Sequence, residues 1–394
     1  MLDIPKKRSN KNLLPYYLIL FGMSSGLASV VTLVAEFKQE LGFSDFEIGL
    51  TIFSGFASSF ISLIVLAPHA DRGYAPLLLK SGLLLGIIAL LLLAIGDSLW
   101  QFIIGRGLFG FALGATAPAA RRTVIVSNPS ELGRNLGKLG AYDVSGWVIG
   151  PVITVVLNSI GNFKTPFWVM AALLLALVPT AWKTQADTAK YDSKKRGIAD
   201  LLRIRQLNGA LLILAAYFVF LGTFESVWVL ELDSRGASQW QIGIAVTLAA
   251  LPIPLLSIKG GVLAQRFGPR IWTVGSLTTC AVIMSFFGLF QSVFALIFIT
   301  VICSCVEGIG FPAGPMLISS SVPEERQAAA QGLGSAAQVA AAAVASLLAA
   351  ALYQITNDTI VWICTSITML LLISLGWLLT KPPSSPTAHP RRIL

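Results

Sequence analysis

Apolar residues in this chain fall in long, nearly unbroken runs, and polar residues gather in short intervals between them. A membrane-spanning helix needs about 20 mostly apolar residues. Runs of that kind cover Leu14–Phe37, Phe46–Ala67, Leu77–Gly96, Leu99–Arg121, Gly137–Ile160 and Thr165–Trp182. After a polar gap they resume over Leu207–Leu230, Trp240–Ile258, Ile271–Phe290, Val293–Ser319, Ala328–Tyr353 and Thr359–Leu379. The pattern predicts an all-α integral membrane protein with twelve transmembrane helices. The gap, Lys183 to Arg205, is the long polar stretch of the chain. Its later part, GIADLLRIRQL, sets apolar residues at helical spacing with charges between them. An amphipathic helix on the membrane surface fits, and so does a solvated connector. The Pro/Ser-rich end, KPPSSPTAHPRRIL, reads as disordered.

Composition agrees. Of 394 residues 55% are apolar and 12% charged, and the mean hydropathy is +0.77. A soluble domain carries about a quarter charged residues, so this chain needs lipid as part of its solvent. A net charge of +9 could suggest nucleic acid, but its placement argues otherwise. With a cytosolic N-terminus, Lys38, Lys164 and Arg235 fall outside, and Arg106 falls within the membrane. The remaining Lys and Arg lie in inner loops, tails and helix ends. That is the usual orientation signal, and it puts both ends in the cytosol, facing anionic lipid. The first run is too long for a signal peptide and reads as retained. Cys280, Cys303, Cys305 and Cys364 all fall in predicted spans and read as packing thiols. His69 and His389 lie in a loop and the tail. No metal site, cofactor or enzyme constellation is expected.

An offset of 194 residues lays the chain on itself without a gap. Gly42 falls on Gly236, Ser44 on Ser238, Ala70 on Ala264, Arg72 on Arg266, Gly114 on Gly308 and Pro118 on Pro312. Ser127, Pro129 and Glu131 fall on Ser321, Pro323 and Glu325. The matches are Gly, Pro and loop charges rather than interchangeable Leu and Val. The expected organisation is therefore two pseudo-symmetric six-helix bundles, residues 1–183 and 207–380. They are joined by a linker at 184–206 and followed by a tail at 381–394. Parallel repeats of this kind are typical of secondary transporters, with a site at the midplane between halves.

The motifs support that reading. The loop after the second run is APHADRGYAP, and its counterpart after the eighth is GGVLAQRFGPR. Asp71 and Arg72 in the first, and Gly261, Arg266, Gly268 and Arg270 in the second, resemble the signature loop of the major facilitator superfamily, G-x-L-A-D-R-x-G-R-K. In that family the loop latches the outward-facing state. Gln265 replaces the acid in the second copy, and Ala75 and Pro76 stand where basic residues are usual, so a weakened latch is expected. Arg106 and Gly110 match the family's R-x-x-x-G, an arginine linked to proton movement in its antiporter branch. Snorkelling to the outer headgroups is the alternative. Gly105, Gly107 and Gly110 spell G-x-G-x-x-G but lack the strand and acid of a dinucleotide site. Gly146, Gly150 and Pro151 resemble the span-5 signature of drug:proton antiporters, G-x-x-x-G-P-x-x-G-G, with Thr154 and Val155 replacing the last glycines. Glycines four apart give a smooth packing face, and proline bends the helix. In the family this pattern marks exporters.

Four residues are candidates for proton coupling. Glu307 lies in mid-span in CSCVEGIGFPAGP, where lipid exposure would be costly. Asp143 lies one turn before Gly146 and either exchanges a proton with the cytosol or pairs with Arg121, Arg122 or Arg134. Glu225 and Arg106 complete the set. Glu36 and Glu231, at span ends, are expected to face water. The first span offers Ser24, Ser25, Ser29 and Thr32 where many exporters of the branch carry an acid. Gln331, Ser335 and Gln338 share one helix face; with Ser25, Trp147 and Tyr217 they are candidate cavity residues. The resemblance implies a monomeric secondary transporter in the cytoplasmic membrane, exporting a small amphiphilic solute in exchange for protons. A symporter or uniporter importing a sugar or metabolite is the alternative, and a non-transporting membrane sensor a more distant one.

Overall fold

The computed structural model describes residues 12–43, 45–182 and 198–380. The basic N-terminal residues before Asn12, the linker residues 183–197 and the tail 381–394 lie outside it. All regular structure among the described residues is helical.

We number the spans in chain order. They are α1 (Leu14–Thr32), α2 (Asp45–His69), α3 (Ala75–Ile95), α4 (Leu99–Ser127), α5 (Leu132–Ile160) and α6 (Thr165–Trp182). The second half holds α7 (Arg205–Thr223), α8 (Gln239–Ala250 continued by Pro252–Phe267) and α9 (Pro269–Met284). It ends with α10 (Val293–Gly310 continued by Ala313–Ser320), α11 (Gln327–Ile355) and α12 (Asp358–Leu379). Among the described residues ten helical stretches are long and apolar enough to cross a membrane, one of which, Leu50–Ile95, runs through both α2 and α3. The shorter apolar stretch Leu14–Val30 supplies the first crossing. Of the linker, Ile198–Arg203 forms a short 3-10 helix.

The sequence repeat is visible in the packing. In the first half α1 lies on α5, α2 on α4, and α3 on α6; in the second α7 lies on α11, α8 on α10, and α9 on α12. Across the halves α5 meets α8, and α11 meets α2. Each pairing recurs six spans on. Small residues permit the close approaches, as expected where lipid provides no apolar driving force between helices. A Cβ on Gly114 would stand 2.8 Å from the carbonyl oxygen of Ser59, and one on Gly308 2.8 Å from that of Pro252. Gly42 and Gly236, equivalent by the offset, both turn the chain with positive φ, 70° and 78°, a conformation only glycine adopts cheaply. Each half has its own apolar core, and Ala264, Ala313 and Met316 of the second half join the core of the first.

Two expectations need correction. Glu231 does not face water: it is fully buried and ion-paired to Arg235 at 2.6 Å, and it accepts a hydrogen bond from Trp362 Nε1 at 2.8 Å. Arg235 also holds Asp358 at 2.8 Å, tying the turn after the short helix Val229–Ser234 to the start of α12. Glu36 accepts a hydrogen bond from Asn158 at 3.1 Å. Glu231 has exchanged solvent for Arg235 and Trp362, while Glu36 is half-buried with one oxygen on Asn158. Glu231→Ala should lower stability by roughly 1–3 kcal/mol, because it leaves the buried Trp362 Nε1 without its acceptor and Arg235 with Asp358 as its remaining acid. A thermal melt in detergent checks this.

Candidate functional site: a gate and a cavity between the halves

The halves are hydrogen-bonded together at the face where the described chain begins and ends. Asp71, in the bend after α2, is buried. Its carboxylate accepts from the backbone N–H of Ala328 at 2.8 Å and of Ala329 at 2.7 Å, in the first turn of α11. Those amides have no partner within their own helix, and the helix dipole adds to their pull on a negative charge. Arg122 of α4 pairs with Asp71 at 2.5 Å and donates to the carbonyl of Glu324 at 2.8 Å. A cation for Asp71 is thus supplied from α4 rather than from positions 75 and 76, and Asp71 is bonded to both halves.

The other seam joins α5 to α8. A Cβ on Gly133 or Gly261 would collide with the backbone of the other, and one on Gly137 would stand 2.5 Å from the carbonyl oxygen of Ser257. Gly261 therefore lies in the seam where the two halves meet. Gly268, with φ +95°, ends α8. Arg266 is exposed over Phe267, and Arg72 is half-buried. Arg270 braces its own half, donating to Thr380 and to the carbonyl of Trp377, each at 2.8 Å.

Just inside this gate is a cavity of about 70 Å³. Tyr217, Glu307, Gln331, Ser335 and Gln338 line it from the second half, and Arg121 alone among the lining residues comes from the first. Tyr217 donates to the Glu307 carboxylate. Arg121 bridges the halves by donating to Ser335 at 2.7 Å. Gln331 donates to the carbonyl of Pro315 at 2.8 Å. A water molecule occupies about 30 Å³ of liquid, so the space suits a few waters. Drug-sized pockets run to hundreds of Å³, so admitting an organic solute requires the walls to part.

Several predicted residues lie elsewhere. Asp143 accepts from Ser24 on α1 and feels the charge of Arg121, which makes Arg121 the link between Asp143 and the cavity. Glu225 is exposed in the π-helical turn Phe224–Trp228 that follows α7. Arg106 is 2% exposed, beside Gly55 and 5.8 Å from the ring of Phe56, and its Nε has no hydrogen-bond partner among the described residues. Gly146 and Gly150 press α5 onto α1, where a Cβ would stand 2.5 Å from the Phe21 carbonyl oxygen or 2.8 Å from that of Ser25. The glycine-proline signature thus seats α5 against its own half, and α5 continues unbroken through Pro151. Thr154, in place of a glycine, donates to Ser29 at 2.7 Å. Ser25 is buried in that seam, donating to the Phe21 carbonyl at 2.8 Å, and Trp147 is exposed. Neither lines the cavity. Cys280 and Cys303 meet between α9 and α10, each thiol directed at the other's carbonyl at 3.8 and 4.0 Å.

Two repeated bundles of membrane-spanning helices, sealed at one face over a largely apolar internal cavity with a few polar side chains on its wall, define a transporter that exposes its site alternately to the two sides. The profile of the Major Facilitator Superfamily matches residues 16–238 and again 209–393. The chain belongs to that superfamily. Among curated relatives it is 26% identical over 294 residues to the multidrug resistance protein MdtG of Proteus mirabilis, covering 68% of this chain and 72% of that one. It is 24% identical over 330 residues to the protein of the same name in Escherichia fergusonii, covering 78% and 79%. Among solved structures it is similar to the fucose:proton symporter FucP of E. coli, with a TM-score of 0.76 and 14% identity over 94% of this chain and 99% of that one.

Proposed function

We propose that the protein exports a small amphiphilic organic solute across the cytoplasmic membrane in exchange for protons, with the latched face toward the cytosol. The observation that carries this reading is Glu307. It is a buried carboxylate on the cavity wall, held by Tyr217, and among the described residues no Lys or Arg forms an ion pair with it. A lone carboxylate at membrane depth is costly as an anion. A proton neutralises it; so does the positively charged head of a cationic amphiphile. The two compete for one group, and either occupant relieves the cost of moving that group between aqueous faces. Serines in place of an acid on α1 leave Glu307 as the cavity's carboxylate. The names of the MdtG relatives support an exporter, as does the glycine-proline signature on α5.

Reconstituted protein provides the test. An imposed proton gradient should drive a cationic dye into liposomes against its own gradient. Dye movement indifferent to that gradient would remove the exchange reading.

A further inference from the structure

The 194-residue offset pairs Asp71 with Gln265, Arg122 with Met316, and Glu324 with Ser130. In the first copy two charged side chains make the latch. Asp71 accepts from the first-turn amides of α11, and Arg122 donates to the carbonyl of Glu324 in the turn before that helix. In the second copy both charges are gone, and Gln265, an exposed residue, makes contacts at the same two places, the helix start and the turn before it. Gln265 Oε1 accepts from the backbone N–H of Gly133, in the first turn of α5, at 2.8 Å. Gln265 Nε2 donates to the carbonyl of Ser130 at 3.0 Å and to that of Pro129 at 3.3 Å. The acceptor meets the equivalent helix start, and the donor meets the equivalent turn carbonyl. Met316, where the arginine would be, is buried in the apolar core that also holds Ala264.

We infer that Gln265 is a second latch, a positioning residue in which one carboxamide does at the α5–α8 seam what Asp71 and Arg122 do together at the α2–α11 seam. The chemistry explains why both changes occur. A carboxamide carries its own donors and acceptor, so it needs no cation beside it. An aspartate at 265 would accept from Gly133 but would present negative charge to the Pro129 and Ser130 carbonyls, with no arginine to offset it. An arginine at 316 without that aspartate would be an unpaired charge in an apolar core. The gate therefore has one ionic and one neutral fastening, and the neutral one sits where Gly133 and Gly261 bring the backbones together.

The test reads closure of the seam directly. Ser257, fully buried against Gly137, is changed to cysteine, and its labelling by a membrane-impermeant maleimide is quantified by mass spectrometry in vesicles exposing the latched face. Gln265→Leu should raise labelling roughly tenfold, the weight of one or two net hydrogen bonds. Gln265→Asp should raise it too. Gln265→Asp combined with Met316→Arg rebuilds the ionic pair and should return labelling to within about twofold of the parent, a recovery that simple tolerance of the site would not give. Unchanged labelling in Gln265→Leu overturns the inference, as does a double variant no better than Gln265→Asp alone. Should the double variant fail to reach the membrane, Gln265→Asn decides. It keeps donor and acceptor and should label less than Gln265→Leu; equal labelling overturns the inference. Labelling reports closure only, so its outcome is separable from that of the dye experiment.

Discussion

A single methyl group added at Gly261 should drive the protein out of its closed conformation. The Cβ of an alanine there would overlap the carbonyl of Gly133 across the seam. Both contacting groups are backbone, and neither can turn aside as a side chain would. Overpacking of this kind costs roughly 1–3 kcal/mol, which is about a 5- to 150-fold change in a two-state equilibrium. The cost falls on the closed state alone, because the two glycines belong to different halves and part when the seam opens. Gly261→Ala should therefore insert normally, label strongly at Ser257→Cys, and transport poorly. Gly133→Ala should behave alike. Gly275→Ala is the control, since its added Cβ meets nothing within 4 Å. Transport at the parent rate by Gly261→Ala would show that the seam is not a gate.

The repeat made the fold legible in the sequence, because helix packing in lipid depends on glycine and proline positions that survive an offset of 194. Gly42 and Gly236 illustrate this: the same residue at the same offset makes the same left-handed turn. Helix ends were less legible. α4 and α5 extend past their apolar runs, to Ser127 and back to Leu132, and α8 runs on from Ile258 to Phe267. These extensions contain Arg122, Gly133 and Gln265, residues that look like loop composition and are helical because they seal one half against the other. Pairwise chemistry between distant positions was least legible. Asp71 carried a family signature, but nothing local to Arg122 marks it as the partner of Asp71. Gln265 read as a lost acid until its two ends were seen to meet Gly133 and Ser130. Glu231 looked exposed because it lies at a span end, yet Trp362 and Arg235 enclose it. The stripe of Gln331, Ser335 and Gln338 was the exception: helical spacing put the three on one face, and they line the cavity with Glu307 and Tyr217.

Glu307→Gln should uncouple the transporter without emptying its site. Glutamine keeps the volume and can still accept from Tyr217, so the cavity wall stays intact. It cannot bind or release a proton, so a gradient has nothing to act on, and gradient-driven dye accumulation should fall to the level of protein-free liposomes. Loss of the negative charge also separates substrates by charge. Hydrogen bonds to charged groups contribute about 1.5–3 kcal/mol, so a cationic amphiphile should bind about 10- to 100-fold more weakly. A neutral amphiphile of similar size should bind nearly as before, and its passive exchange down a gradient should continue. Tyr217→Phe should leave the carboxylate able to titrate and should retain part of the coupled activity. Full gradient-driven transport by Glu307→Gln would move the coupling role to another carboxylate. Asp143 is then the group to vary, because Arg121 connects it electrostatically to the same cavity.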